Sequence, residues 1–212
     1  MHIPDGLLDP KTFGTAWALG GAFMVYAVTK TNKELQERQI PFMGVMAAFI
    51  FAAQMIDLPI GVGVSGHLLG GVMAAVLLGP WSASIIMTTV LALQAFIFLD
   101  GGVTALGANI LNMAVIGVFV GYGVYLVIRK ALPNRNGTLV GTFVGSWVSV
   151  VLAAAACAIE LAISGQGSFK ILLTAMLTWH AIIGLVEAVI ATAVVGYLTQ
   201  VRPDLVQQTS KA

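Results

Sequence analysis

Long apolar stretches separated by short polar segments dominate this sequence and limit what it can fold into. A helix needs about 20 apolar residues to cross the hydrocarbon core of a bilayer. Seven segments have this character, at residues 13–30, 41–57, 66–79, 82–99, 106–129, 138–163 and 170–200. Only 9% of the 212 residues are charged, against about 25% in a soluble domain. The sequence therefore predicts an all-α polytopic membrane protein with about seven transmembrane helices. It excludes a soluble globular protein, a nucleic-acid binder and a disulfide scaffold.

The third apolar segment, 66–79, is shorter than a spanning helix and is rich in glycine. A short element is tolerated at membrane depth when neighbouring helices shield it. Pro80 ends the segment, because proline cannot continue a helix, and only a tight turn fits before the next one. We therefore expect a short span at 66–79, surrounded by the other helices.

Basic residues concentrate in alternate loops, and this bias predicts the orientation. Loops rich in Lys and Arg stay in the cytoplasm. The expected inner set is Lys30, Lys33, Arg38, Arg129, Lys130, Arg135, Arg202 and Lys211, and the outer set is Lys11 and Lys170. We expect the N-terminus outside and the C-terminus in the cytoplasm. Residues 1–6 have no basic region typical of a signal peptide, so we expect the N-terminus to be retained.

The first two residues carry a chelating pattern. The α-amine of Met1 and the amide nitrogen of His2 can close a five-membered ring on a metal ion. The same amide nitrogen and the imidazole Nδ1 of His2 can close a six-membered ring. Three nitrogens then lie in one plane, which suits Ni(II) or Cu(II); cobalt is a further candidate, whereas zinc prefers a tetrahedron.

His67 is the candidate for the fourth ligand, since it lies among glycines at the outer end of the third segment. The alternative is a histidine that is hydrogen-bonded between helices. Ser65 either hydrogen-bonds nearby or caps the following helix. Asn109 and Asn112 begin the fifth segment after Asp100, and we expect them to orient either the loop or the ligand histidines. Helix capping and turn formation explain Asp100 and Asn109 as easily.

His180 and Glu187 lie seven residues apart on one face of the last segment. Ionisable residues at membrane depth are functional candidates. These two residues could form a proton relay or a pair of metal ligands, and either would fit a proton-coupled secondary metal transporter. The alternative is a structural contact between two polar side chains. Glu160 is another carboxylate, near the outer end of the sixth segment.

Residues 63–66 also match the Gly-x-Ser-Gly pattern of rhomboid-like intramembrane serine proteases. A protease would need Ser65 within hydrogen-bond reach of a base, for which His180 is the candidate. The motif is short in a chain with 24 glycines, so this is a remote alternative.

Small residues recur at four-residue spacing on the first two segments. One line contains Gly14, Ala18 and Ala22, and another contains Ala48 and Ala52. Such lines let helix backbones approach closely. They indicate either packing within the bundle or a docking face for another membrane subunit.

The opening Met1–Gly6 and the later run Gly63–Gly71 resemble the substrate-binding membrane subunits, or S components, of energy-coupling factor (ECF) nickel and cobalt transporters, the NikM and CbiM proteins. The resemblance covers nearly the whole chain, including Asp100 and the Asn109–Asn112 pair. It implies six core helices plus an extra N-terminal helix, with the N-terminal segment tucked into the bundle. It also implies a metal held by four nitrogens: the Met1 amine, the His2 amide, the His2 imidazole and the His67 imidazole.

The resemblance further implies a single transmembrane domain over 1–212 in a prokaryotic cell membrane, with 1–12 as an extracytoplasmic metal-binding segment. We expect the transported ion to be Ni²⁺, with Co²⁺ as second choice, because planar coordination by nitrogen donors favours nickel. The implied partners are a transmembrane coupling protein (T component), cytoplasmic ATPase subunits and a small accessory membrane subunit. Ala18, Ala22, Ala48 and Ala52 are the docking candidates. The chain has no Gly-x-x-x-x-Gly-Lys phosphate loop, so we expect no ATP hydrolysis and no enzyme activity from it.

Overall fold

The computed structural model describes residues 1–34, 37–61 and 63–205, so Lys211 lies outside the described residues. Helices make up most of this part of the chain. They are α1 (Pro10–Glu34), α2 (Ile40–Gln54), α3 (Gly71–Leu78), α4 (Pro80–Phe98), α5 (Leu106–Ala131), α6 (Arg135–Ile163) and α7 (Phe169–Val201). The strands β1 (Leu58–Gly61) and β2 (Val64–Gly66) form an antiparallel pair. Short 3-10 turns occur at Glu37–Gln39 and Pro203–Leu205.

The helices α4, α5, α6 and α7 are each long and apolar enough to cross a membrane. The predicted all-α architecture is therefore confirmed, and each predicted segment overlaps one of the helices. Two of the helices contain wider π turns, at Gln94–Phe98 in α4 and at Ile110–Gly117 in α5. Such turns often occur at functional sites.

The prediction of a helix over 66–79 is wrong in its first half. Gly66 ends β2, and α3 contains only eight residues, about 12 Å at 1.5 Å per residue. Gly66 has no room for a side chain, because an added Cβ would lie 2.3 Å from Cδ1 of Ile60 on the opposite strand. Gly70 has a φ of +80°, which glycine adopts freely. The chain therefore approaches α3 as irregular backbone over 67–70.

Glu187 of α7 stabilises this irregular backbone. Its carboxylate oxygens accept hydrogen bonds from the amides of Leu69 and Gly70, each at 2.7 Å, and only 3% of Glu187 is exposed. Backbone amides at membrane depth need such partners inside the protein, and the positive end of the α3 dipole favours a carboxylate there. Glu187 thus supplies the hydrogen-bond acceptors that the backbone of the third segment needs before α3 begins.

The predicted pairing of His180 with Glu187 is wrong. Nδ1 of His180 donates to the carbonyl of Met176 in its own helix, at 2.8 Å, while both Glu187 oxygens are used at α3. Seven residues correspond to about 10 Å along a helix, which is too far for a direct contact between these two side chains.

Close packing of α1 on α5 sets the position of the N-terminal segment. A Cβ on Gly107 would lie 2.5 Å from the amide nitrogen of Trp17, so the two backbones are nearly in contact. The indole of Trp17 also donates to the carbonyl of Thr104, at 2.9 Å. Residues 1–9 therefore run directly over the loop that connects α4 to α5.

Candidate metal centre

The first three residues are buried inside the protein. Met1 and Ile3 have no exposed surface, and His2 is 3% exposed. Ile3 is fixed by three hydrogen bonds: its amide donates to Oδ1 of Asn109 at 2.9 Å, and its carbonyl accepts from Asn109 Nδ2 at 3.1 Å and from the Gly102 amide at 2.9 Å. Asn109 therefore positions the N-terminal segment rather than a histidine.

Asp5 provides a second attachment for the same segment. Its carboxylate accepts from the amides of Val103 and Thr104 at 3.2 and 2.7 Å, and from the Thr104 hydroxyl. The Thr104 hydroxyl contact lowers the pKa of Asp5. Gly102 is essential here, because a Cβ at this position would lie 2.3 Å from the Asp5 amide nitrogen.

The imidazole rings of His2 and His67 are stacked, with centroids 4.4 Å apart and planes 24° apart. The Met1 amine interacts electrostatically with both rings. The fold therefore brings Met1, His2 and His67 together, although 64 positions separate the two histidines in the sequence. His67 reaches the site because it lies in the irregular backbone between β2 and α3.

His67 has one ring nitrogen that is free to bind a metal ion. Its Nδ1 lies 2.8 Å from the carbonyl of Leu68, and a carbonyl only accepts, so Nδ1 carries the hydrogen. The lone pair is then on Nε2, which is buried and has no hydrogen-bond partner. An unsatisfied buried acceptor costs about 1–3 kcal/mol, and a bound cation would remove that cost.

His2 has a similar arrangement. Its Nε2 lies 3.1 Å from Oε1 of Gln94, which accepts its hydrogen and leaves a lone pair on Nδ1. Nδ1 lies 3.1 Å from Oδ1 of Asp100 without hydrogen-bond geometry. The Asp100 carboxylate at this distance favours a positive charge beside Nδ1, either a proton or a bound cation.

Burial keeps the candidate nitrogens neutral. It lowers the pKa of the Met1 amine from 8.0 to about 5. It also lowers the pKa of His2, with the Asp100 carboxylate opposing the shift. At pH 7 the Met1 amine and the His2 imidazole are therefore neutral and carry lone pairs, which is the form that binds metals.

Within residues 1–34, 37–61 and 63–205, no group of three His, Cys, Asp or Glu side chains is placed to hold a metal ion. The stacked imidazoles of His2 and His67 supply the histidine nitrogens at this place. A four-nitrogen site here would need two further donors from the main chain, and the start of the chain lies beside the rings.

Two other predicted site residues lie elsewhere. Asn112 donates from Nδ2 to Oε2 of Glu160 at 2.6 Å, so it does not orient a histidine. Ser65 lies in β2, before the cap position of α3 at Gly70, so it does not cap that helix.

The prediction of a rhomboid-like protease is also wrong. Ser65 Oγ and His180 Nε2 are both without a hydrogen-bond partner, so they form no catalytic dyad.

Sequence reasoning missed Gln94 and Asp5, and gave Asp100 only a role in the turn. Gln94 is fully buried and lies in the π turn of α4. A glutamine inside an apolar segment is a signal that could have identified it. Asp5 is part of the opening motif, but nothing in the sequence showed that it binds the loop 98 positions away.

A family described as CbiM, the cobalt uptake substrate-specific transmembrane region, matches residues 2–205. The chain belongs to the CbiM family. CbiM and NikM proteins are nickel and cobalt transport proteins, so the chain is a transporter rather than an enzyme. The resemblance noted from its opening motif is thus confirmed.

Relatives of the chain support this assignment over nearly its full length. A protein of Archaeoglobus fulgidus named as a fused nickel transport protein, NikMN, is 42% identical over 98% of this chain and 68% of its own. The cobalt transport protein CbiM of Sorangium cellulosum is 30% identical over 98% of this chain and 95% of its own. A solved truncated transition metal transporter has a TM-score of 0.89 at 36% identity, over 94% of this chain and 99% of that one.

Proposed function

We propose that the chain binds Ni²⁺, with Co²⁺ as the second choice, through four nitrogens: the Met1 amine, the His2 amide, His2 Nδ1 and His67 Nε2. The observation that carries this proposal is the contact between the His2 and His67 rings, with centroids 4.4 Å apart, beside a buried amine. Each of these side-chain nitrogens lacks a hydrogen-bond partner within the protein. Four nitrogens in a plane suit Ni(II) or Cu(II), and the similarity to a fused nickel transport protein favours Ni(II) of the two.

Binding then requires little rearrangement of charge at neutral pH. The amine and both imidazoles are already neutral, so the His2 peptide nitrogen is the group that must lose a proton. Asn109 and Asp5 hold the N-terminal segment in place, which reduces the entropy lost when the ion is bound. The segment 1–12 is in this proposal the extracytoplasmic metal-binding segment of a single transmembrane domain.

We further propose that the chain is the S component of an ATP-driven ECF importer. Its partners would be a transmembrane coupling protein, cytoplasmic ATPase subunits and a small accessory membrane subunit. Ala18 and Ala22 on α1, and Ala48 and Ala52 on α2, are exposed, and both helices pack against α4. Packing within the chain therefore leaves these small-residue lines open, and they are the proposed docking face.

The expected orientation is part of the same proposal. Basic residues lie at one end of the helices: Lys30 and Lys33 end α1, Arg129 and Lys130 end α5, and Arg135 begins α6. The candidate metal centre lies at the other end, next to the beginnings of α1 and α5. With the basic end in the cytoplasm of a prokaryotic cell, the centre faces outside.

A metal titration of the purified protein tests the binding proposal. We expect one tightly bound Ni²⁺ with the yellow absorption of planar nickel, and we expect His67→Ala to weaken binding at least 100-fold. His180→Ala is the matched control, because this histidine is also buried but is assigned no nitrogen in the site. If both variants bind nickel as the native protein does, the proposed site is wrong.

Uptake measurements test the transport proposal. Nickel accumulation by vesicles that contain the chain and its coupling partners should require ATP and should persist when the proton gradient is collapsed. Accumulation that follows the proton gradient without ATP would refute the ECF assignment.

A further inference from the structure

The sequence of α2 contains one polar side chain, Gln54, at the end of the helix. Gln54 has no exposed surface. Its Nε2 donates to the carbonyl of Leu69 at 2.9 Å and lies 4.0 Å from Sδ of Met87. A buried amide inside a membrane protein is costly unless it is hydrogen-bonded. Gln54 therefore spends its hydrogen bond on the irregular backbone that carries His67.

One face of α2 contacts this backbone. The buried residues of the helix are Met46, Ile50 and Gln54, and a spacing of four places their side chains on one side. Gly70 packs directly against Ile50, because an added Cβ on Gly70 would lie 2.7 Å from Cγ1 of Ile50. The end of α2 therefore holds the segment before α3 by an apolar contact and a polar one.

The peptide group that joins Leu69 to Gly70 is held at both of its polar atoms. Its carbonyl accepts from Gln54 of α2, and its amide donates to Oε1 of Glu187 in α7. A peptide group is planar, so these two bonds fix its orientation between the two helices.

The preceding peptide group, which joins Leu68 to Leu69, connects this arrangement to His67. Its amide donates to Oε2 of Glu187, the other oxygen of the same carboxylate. Its carbonyl lies 2.8 Å from Nδ1 of His67 and accepts from it, which leaves the lone pair of the imidazole on Nε2. Without Gln54, Glu187 alone would hold both peptide groups, and the carbonyl that orients His67 would be less firmly fixed.

We propose that Gln54 is a positioning residue of the metal centre. It holds the backbone of residues 67–70 so that the imidazole of His67 keeps its hydrogen on Nδ1 and presents Nε2 to the ion. This inference rests on the proposed function, in which Nε2 of His67 is the fourth nitrogen. It gives α2 a part in metal binding, although this helix supplies no ligand.

The first test uses the full chain without metal, so that it does not depend on nickel binding. Nitrogen-15 NMR of protein with labelled histidines reports which ring nitrogen carries the hydrogen, and His67→Ala identifies the signals of His67. Gln54→Met keeps the length of the side chain and removes the donor, whereas Gln54→Asn keeps the amide but ends one carbon short of Leu69. We expect a single Nδ1–H form in the native protein and a mixture of the two tautomers in both variants.

The second test measures the release of nickel from the loaded protein to a chelator. Both Gln54 variants should release nickel about tenfold faster than the native protein, as is typical when a residue that orients a ligand is lost. The absorption of the bound nickel should also shift, because His67 no longer holds its place in the coordination plane.

Met46→Ala is the matched control. Met46 lies on the same buried face of α2, two turns or about 12 Å before Gln54, so its loss weakens the packing of the helix away from residues 67–70. This variant should have a lower Tm but the native His67 tautomer, nickel release and absorption.

An unchanged His67 tautomer in both Gln54 variants would overturn the proposal. Equally fast nickel release from Met46→Ala would also overturn it, since general loosening of α2 would then explain the effect. Failure of the proposed function is a separate result, because the native protein would then bind no nickel at its N-terminus, while the comparison of tautomers would still test the role of Gln54.

Discussion

Replacing Glu187 by Gln should destabilise the protein and weaken nickel binding together. In the native chain the two carboxylate oxygens accept from the Leu69 and Gly70 amides, each at 2.7 Å. A glutamine amide retains one oxygen and turns an N–H donor toward the second backbone N–H. One of these two backbone amides then loses its acceptor inside the bundle, two or three residues from His67.

The size of the effect follows from these contacts. An amide left unsatisfied in the interior costs about 1–3 kcal/mol, and a charged hydrogen bond contributes about 1.5–3 kcal/mol. We therefore expect the free energy of unfolding to fall by about 2–3 kcal/mol. At roughly 2–4 °C per kcal/mol for a chain of this length, Tm should fall by roughly 5–10 °C. If 2 kcal/mol of this destabilisation also applies to the metal-binding position of His67, nickel affinity falls about 30-fold.

Thermal unfolding in detergent and nickel titration measure the two effects, with exposed Glu37→Gln as the control. A Tm within 1 °C of the native value would refute the reasoning, because it would mean that Glu187 does not stabilise the backbone before α3. A normal Tm combined with lost uptake would instead point to a direct role of Glu187 in transport.

Three further predictions follow from the N-terminal segment and the exposed small residues. Gly102→Ala should displace this segment and weaken nickel binding at least tenfold, since the new Cβ would lie 2.3 Å from the Asp5 amide nitrogen; Gly123→Ala, with nothing within 4 Å, should bind normally in the same titration. The free Met1 amine is protonated below pH 8.0 and the buried amine only below about 5, so docking of the segment is favoured above pH 8 and is lost as pH falls from 8 to 5. The nickel Kd should rise about tenfold or more for each unit by which the pH falls across this range. A Kd that does not change with pH would count against nitrogen ligation. Ala48→Trp should abolish co-purification with the coupling protein and leave nickel binding unchanged; unaffected co-purification would place the docking face elsewhere.

The sequence predicted the features that depend on local pattern. The long apolar segments gave the helices α4 to α7, because hydropathy over 20 residues is a strong signal. The chelating start at Met1 and His2 was also visible, since it depends on neighbouring atoms of one dipeptide. Its partner His67 was identified from its surrounding glycines, and the fold places the two rings in contact.

Features that depend on distant contacts could not be predicted. The break before α3 requires Glu187, which lies 117 or more positions away, to accept the free amides of Leu69 and Gly70. The spacing of His180 and Glu187 pointed to a pair, but spacing on one helix does not reveal which side chain another segment uses. Similarly, Asn112 resembled a ligand-orienting residue until the fold placed Glu160 beside it.

The most direct test of the account is a nickel titration of the native protein beside a variant with one alanine inserted between Met1 and His2. The insertion retains every side chain but separates the amine from the His2 amide, which breaks the chelate rings. The account predicts one tightly bound nickel in the native protein and a loss of affinity of at least 100-fold in the variant. Equal affinity in the two proteins would contradict the four-nitrogen site and place the metal elsewhere in the chain.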